Sequence, residues 1–154
     1  MSRDFTKIRA WQLSDDLTVE VYKITKDFPR EEVYGLSSQL RRAASSVPAN
    51  IAEGANRSSK KEYLQFLSVA SGSLAEARYF LHLSRRLGYV GDGDYSKASK
   101  LAEETSKTLS GLIHALKGEV CFNEPVGSVL SHIAGTFRHI PGGSVKAARY
   151  SAAH

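Results

Sequence analysis

Between Lys7 and Phe28 the apolar residues Ile8, Trp11, Leu17, Val21, Ile24 and Phe28 keep returning to one side of a helix turning about 100° per residue. This predicts a first helix. Pro29 closes it, because a proline restricts the residue before it to extended backbone. Past that break Glu31 and Glu32 place carboxylates where a helix N-terminus attracts them, and Leu36, Leu40, Ala43, Val47 and Ile51 follow at spacings of three and four. A second helix is expected from about Glu31 to Ala55. Pro48 lies inside it, has no N–H to give, and crowds the carbonyl of Ala44, which costs a straight helix about 3 kcal/mol. Because Ile51 keeps the apolar phase, the expectation is a bend at Pro48 rather than an end.

Ser59-Lys60-Lys61-Glu62 has the form of a capping box, in which the serine hydroxyl accepts from the amide of Glu62. It opens a third helix whose stripe is Tyr63, Phe66, Leu67, Ala70, Leu74, Ala77, Leu81 and Leu87. Gly88 stands where a left-handed C-terminal cap is wanted. A glycine- and aspartate-rich turn leads to a fourth helix, expected from about Tyr95 to Lys117, with Asp94 as N-cap and Gly118 as its close. Its seam is Leu101, Thr105, Leu109, Leu112 and Leu116. The fold predicted over residues 1–118 is all-α, an up-down-up-down four-helix bundle.

Composition changes after Gly118. Residues 119–154 hold Pro125, Pro141, the pair Gly142-Gly143 and a small-residue ending, and read as an appended tail that is poorly ordered or carries one short amphipathic helix through Val126, Val129, Leu130, Ile133, Phe137 and Ile140. The total of 154 residues, 42% hydrophobic, suits one domain. Cys121, the single cysteine, excludes an intrachain disulfide and fits a reducing, cytoplasmic setting. The first eleven residues are charged and carry no apolar run, and no stretch reaches the roughly 20 apolar residues of a membrane span, so neither a signal peptide nor a membrane partner is expected.

Catalytic chemistry finds no foothold. Asp15-Asp16, Glu31-Glu32 and Glu103-Glu104 are neighbours that diverge by about 100° on a helix and cannot close on one atom. No Glu-x-x-His of the di-iron bundle type occurs. Asp92, Asp94, Ser96 and Glu103 imitate the spacing of a calcium loop, but Lys97 replaces its glycine. His82 and His114 stand alone on their helices. The expectation is a non-enzymatic protein with no metal and no cofactor.

The chain has 21 Lys and Arg against 16 Asp and Glu, a formal charge of +5, which favours anionic partners. Arg41, Arg42, Arg57, Lys60, Lys61, Arg78, Arg85 and Arg86 form a basic set suited to phosphates, with Tyr34, Tyr63 and Tyr79 nearby in sequence to stack on bases. Beside the apolar stripe of the second helix runs a polar one: Glu32, Gly35, Gln39, Arg42, Ser46, Asn50 and Glu53. It reads either as a hydrogen-bonded seam at an interface or as a face lining a ligand.

The run from Phe28 to Gly54, with Val33-Tyr34-Gly35-Leu36-Ser37-Ser38-Gln39-Leu40-Arg41-Arg42 and Val47-Pro48-Ala49-Asn50-Ile51-Ala52-Glu53-Gly54 at its heart, resembles the signature of the four-helix proteins named after the intervening sequences of bacterial 23S rRNA genes. Phe66 to Ala77, Leu87-Gly88-Tyr89 and Leu109 to Lys117 extend the resemblance over about Phe5 to Gly118, leaving the tail outside it. The resemblance implies a bundle that assembles into a homopentameric ring, and a distant kinship with the accessory proteins of diversity-generating retroelements, which bind nucleic acid and a reverse transcriptase. It implies no particular reaction. Two functions follow: a homo-oligomeric accessory that binds RNA or DNA through its basic surface, or a structural adaptor that holds a protein partner.

Overall fold

A computed structural model of the chain describes residues 3–121. Every regular element among them is helical: α1 (Arg9–Ile24), α2 (Leu36–Ala55), α3 (Lys60–Arg86) and α4 (Asp92–Cys121), with 3-10 turns at Phe5–Lys7, Thr25–Asp27 and Arg30–Glu32. They belong to one compact unit, Met1–Val120. The amphipathic helix expected between Val126 and Ile140 lies outside the described residues. No described helix is long and apolar enough to cross a membrane.

Side-chain contacts set the direction of each helix. Thr18 of α1 meets Ala44 of α2, while Thr25, just past the end of α1, meets Arg41. Gly54 of α2 lies on Phe66 of α3, and Ser46 meets Ser73. Arg85 of α3 meets Asp92 beside the start of α4, and Arg78 lies near Glu103. In each pair residue numbers rise on one helix as they fall on the other, so successive helices run antiparallel. Lys97 reaches Glu20 and so brings α4 back against α1. A single apolar core, including Leu17 and Val21, Leu40, Val47 and Ile51, Leu67 and Leu74, and Ala98, Ala102 and Leu109, fills the space between the four.

Helix ends differ from the periodic pattern where a local polar group intervenes. α1 stops at Ile24 rather than Phe28; the hydroxyl of Thr25 donates to the carbonyl of Val21 at 2.8 Å, and Phe28 is extended ahead of Pro29. α2 starts at Leu36, not Glu31, because the chain leaves helical geometry at Gly35 and the carboxylate of Glu32 accepts from the Leu36 amide at 2.8 Å. α4 starts at Asp92, ahead of the expected Tyr95. The Tyr95 amide donates to the carbonyl of Gly91 at 2.9 Å, so Asp94 lies in the first turn instead of capping it. The same helix runs through Gly118 to Cys121, since a glycine without left-handed backbone costs a helix only about 1 kcal/mol.

The ends of α3 are those the sequence predicts. Ser59 accepts from the Glu62 amide at 3.1 Å. Gly88 has φ of 77°, and the amides of Gly88 and Tyr89 donate to the carbonyls of Arg85 and Ser84, the paired bonds of a Schellman motif. α2 continues unbroken through Pro48. The carbonyl of Ala44, deprived of its partner amide by the proline, instead lies 3.1 Å from the hydroxyl of Thr18, whose one proton is shared with the Ser14 carbonyl at 2.8 Å. On the other side of α2, a Cβ at Gly54 would stand 2.8 Å from Phe66 Cβ and 2.9 Å from Tyr63 Cδ2, closer than atoms pack.

These contacts set the expected stability of three variants. Gly54→Ala lowers the urea midpoint, with a loss of about 1–3 kcal/mol from overpacking. Gly72→Ala, on a helical surface with open space around it, raises it by about 0.5–1 kcal/mol. Equal effects of the two substitutions would show that α2 and α3 are not in close contact at Gly54. Thr18→Val costs about 1–2 kcal/mol in the native background and less in a Pro48→Ala background, where an amide is restored to Ala44. A double-mutant cycle of denaturation midpoints reads the difference, and strict additivity would refute the bond.

Candidate functional site

The basic set does not share one surface. Arg57, Lys60 and Lys61 sit around the turn between α2 and α3, whereas Arg85 and Arg86 close α3 at its far end, roughly 39 Å away along the helix. Several of these residues are engaged by the fold itself. Arg41 donates through Nε to Thr25 Oγ1 at 2.6 Å, with its guanidinium over the ring of Tyr22 at 5.1 Å. Arg57 pairs with Glu53 and lies over Phe66 at 4.8 Å. Arg85 pairs with Asp92 at 2.9 Å and lies over Tyr95 at 4.5 Å. Stacking on a ring holds an arginine in place without removing its charge. Lys60 is half-buried, while Arg42, Lys61, Arg78 and Arg86 are exposed.

Of the three tyrosines, Tyr63 is only 1% exposed and cannot stack on a ligand; burial pushes its hydroxyl above the usual tyrosine range. Tyr34 and Tyr79 remain open, 94% and 59% exposed.

The polar stripe of α2 divides. Glu32 caps the helix start. Ser46 and Asn50 form a small network with α3, in which Ser46 Oγ meets Ser73 Oγ at 2.9 Å and Asn50 Nδ2 donates to the Ser46 carbonyl at 2.7 Å and to its hydroxyl at 3.0 Å. Glu53 binds Arg57. Gln39 and Arg42 point to solvent.

A groove that sequence reasoning did not single out runs between α3 and α4. Two adjoining hollows of about 440 and 410 Å³ share Tyr95 and Ser99; Arg85, Asp92, Ser96, Lys100 and Glu103 line one, and Arg78, Tyr79 and His82 the other. Among the described residues no cluster of His, Cys, Asp and Glu is placed to hold a metal ion. Asp92 and Glu103, two of the three acids of the calcium-like spacing, are instead ion-pair partners, Asp92 of Arg85 and Glu103 of Lys107 at 2.6 Å.

A family model described as 23S rRNA-intervening sequence protein matches residues 6–111. The chain belongs to this family. Among solved structures it is similar to a protein of unknown function from the S23 ribosomal protein family of Bacteroides thetaiotaomicron, with 24% identity and a TM-score of 0.63 over 68% of this chain and 97% of that one. At that identity the likeness is one of fold. No curated protein matches. Within this member of the 23S rRNA-intervening sequence protein family, the matched span includes α1, α2 and α3 whole and most of α4.

One buried charge escaped the sequence reading. Glu20 of α1 has a side chain 8% exposed, and its Oε2 accepts from Lys97 Nζ at 2.8 Å, with Lys23 Nζ at 3.6 Å. The hydrogen bond from Lys97 holds its carboxyl below the ordinary 4.5 despite burial, which acts in the opposite direction. A depressed carboxyl stabilises the fold above its unfolded value, and that contribution is lost as pH falls through the folded value. Glu20→Gln should therefore cost about 1–3 kcal/mol at pH 7. The gap to the native protein should close as pH drops below 4.5. Urea midpoints measured across pH check this, and a gap that stays constant into acid would remove the ion pair from the account.

Proposed function

We propose that the protein is a non-enzymatic, homo-oligomeric helical accessory that binds nucleic acid, RNA or DNA, through the surface built by α3 and α4. The observation that carries this reading is where the charge lies. Residues 57–118 hold ten Lys and Arg against six Asp and Glu, whereas residues 1–56 hold eight of each. The whole surplus of this unit thus sits in the half containing α3 and α4. In the homopentameric ring that the family resemblance implies, five copies would bring a charge of about +20 to one particle, enough to raise the local concentration of a polyanion. A reducing cytoplasm and a reverse transcriptase or similar protein partner are the setting proposed for such a particle.

A second reading is supported by a different observation. Val33 and Tyr34 beside the start of α2, and Leu87 at the close of α3, are exposed apolar groups on the two connections that Phe28 and Tyr89 join by ring contact at 5.6 Å. They suit a structural adaptor that holds a protein partner at that end.

Filter binding of RNA and DNA across a salt series tests the leading reading. The expected result is binding that weakens steeply as salt rises, with a logarithmic slope of about −0.7 to −0.9 per phosphate neutralised. Alanine at Lys60 and Lys61, or at Arg85 and Arg86, should lower affinity while the oligomer stays intact by light scattering. Binding that is absent, or present but indifferent to salt, rejects phosphate contact and leaves the adaptor.

A further inference from the structure

We propose that the groove between α3 and α4 is the track for a single, unpaired strand of nucleic acid, with a base stacked on Tyr79 and phosphates held by Arg78, Arg85 and Lys100. The inference rests on the nucleic-acid reading above and adds to it a location and a strand preference.

Three features converge on this groove. Its ring is available: Tyr79 is tilted against Phe80 at 5.4 Å, which supports it from one side, yet more than half of it remains in solvent. Its cations are held in a row. Arg78 and Arg85 are seven residues apart on α3, two helical turns, so they face the same way with roughly 10 Å between them. Arg85 is fixed by its stack on Tyr95, and Lys100 faces them across the groove from α4. Its acids are already matched. Asp92 is bound by Arg85 at 2.9 Å, and Glu103 by Lys107 at 2.6 Å with Arg78 also near it, so the cations Arg78, Arg85, Lys100 and Lys107 outnumber these two acids and set the sign that a ligand meets.

The combination of an open aromatic face with flanking cations selects the ligand. Phosphates alone would be served by lysines and arginines on any convex surface, and a duplex keeps its base faces inside its own stack. Only an unpaired base can use the tyrosine face while its backbone meets the cations. An acidic peptide would find the cations but has no planar base to lay on the ring.

Fluorescence anisotropy of the full chain with short labelled oligouridylate, oligothymidylate and a blunt duplex tests the proposal, with polyglutamate as competitor. Expected are tighter binding of the single strands than of the duplex, and poor displacement by polyglutamate. Tyr79→Ala should weaken single-strand binding about ten-fold and leave duplex binding unchanged. Lys100→Gln should weaken both and reduce the salt slope by about one. Glu103→Gln should strengthen binding, and Arg9→Gln, at the start of α1 and so at the opposite end of the antiparallel helices from Arg85, should change nothing. All four side chains are exposed, and circular-dichroism melts confirm that each variant is folded.

Nucleic-acid binding and its placement in the groove fail separately. If the native chain binds none of the probes, the nucleic-acid reading and this inference fall together. If it binds them but Tyr79→Ala and Lys100→Gln bind as well as the native chain, the groove is not the track and the nucleic-acid reading survives. Equal affinity for duplex and single strand, or displacement by polyglutamate at matched charge, overturns the strand preference.

Discussion

The carbonyl of Ala44 governs how this molecule is put together. α2 is the element on which α1 and α3 pack: Leu40, Ala44, Val47, Ile51 and Ala55 have no exposed surface at all, and Pro48 is buried among them. A proline there leaves an acceptor without its amide in a place water does not reach, an omission worth about 1–3 kcal/mol if left unmade. The Thr18 hydroxyl answers it from α1. Because that hydroxyl is also tied to the Ser14 carbonyl, the bond fixes the rotation and depth of α1 against α2. On the opposite side Gly54 lets α3 approach until the ring of Tyr63 and the Cβ of Phe66 occupy the place of a side chain. α2 is thus held by a hydrogen bond on one side and a missing methyl on the other. α4 closes the unit through Lys97 to Glu20 and Asp92 to Arg85.

What was legible in the sequence follows from the range of the interactions involved. Four helices could be read because a 3.6-residue apolar repeat is written within each segment. Ser59 and Gly88 could be read because a cap bonds only to backbone three to five residues away. The start of α2 could not, since Glu32 takes the role of cap from four residues upstream, outside the usual pattern. Nor could the extra turn of α4 past Gly118, where nothing local forbids continuation. Most of the core positions that went unnoticed are small: Ala10, Ala98 and Ala102 are buried, but a single methyl adds little to an apolar stripe. Leu13, one turn before Leu17, and Val90, in the turn before α4, are larger positions that the stripes left out. Glu20 was hidden by its charge, although it lies seven residues from Leu13 and beside Val21 on the buried side of α1.

The site was less legible than the fold. A list of basic residues records charge and says nothing of partners, and the partners lie across helices. Arg41 meets Tyr22 and Thr25 of the preceding segment, and Arg85 meets Asp92 and Tyr95 of the following one. Tyr63 looked like a stacking platform because tyrosine is amphipathic, yet its ring is what Gly54 makes room for. The groove of α3 and α4 needed both helices in place before Tyr79, Tyr95 and Lys100 became neighbours, and no spacing within either helix announces it.

The cations are not equally informative about function, and their positions on the helices separate them. Arg85 and Arg86 occupy the last turn of α3, where the helix dipole favours positive charge by about 0.3–1 kcal/mol, and Asp92 and Asp94 do the converse in the first turn of α4. Helix stability alone explains charge at that end. Arg57 and Lys97 are likewise accounted for by Glu53 and Glu20. The dipole effect dies away within one turn, so it does not reach Arg78, two turns before the end of α3, or Lys100, in the third turn of α4. Their like charges repel weakly in salt, where the screening length is about 8 Å, and cost the fold little. Helix ends account for neither residue, and both line the same groove as the open ring of Tyr79. That coincidence, rather than the total charge, makes the surface of α3 and α4 the place to look for a polyanion.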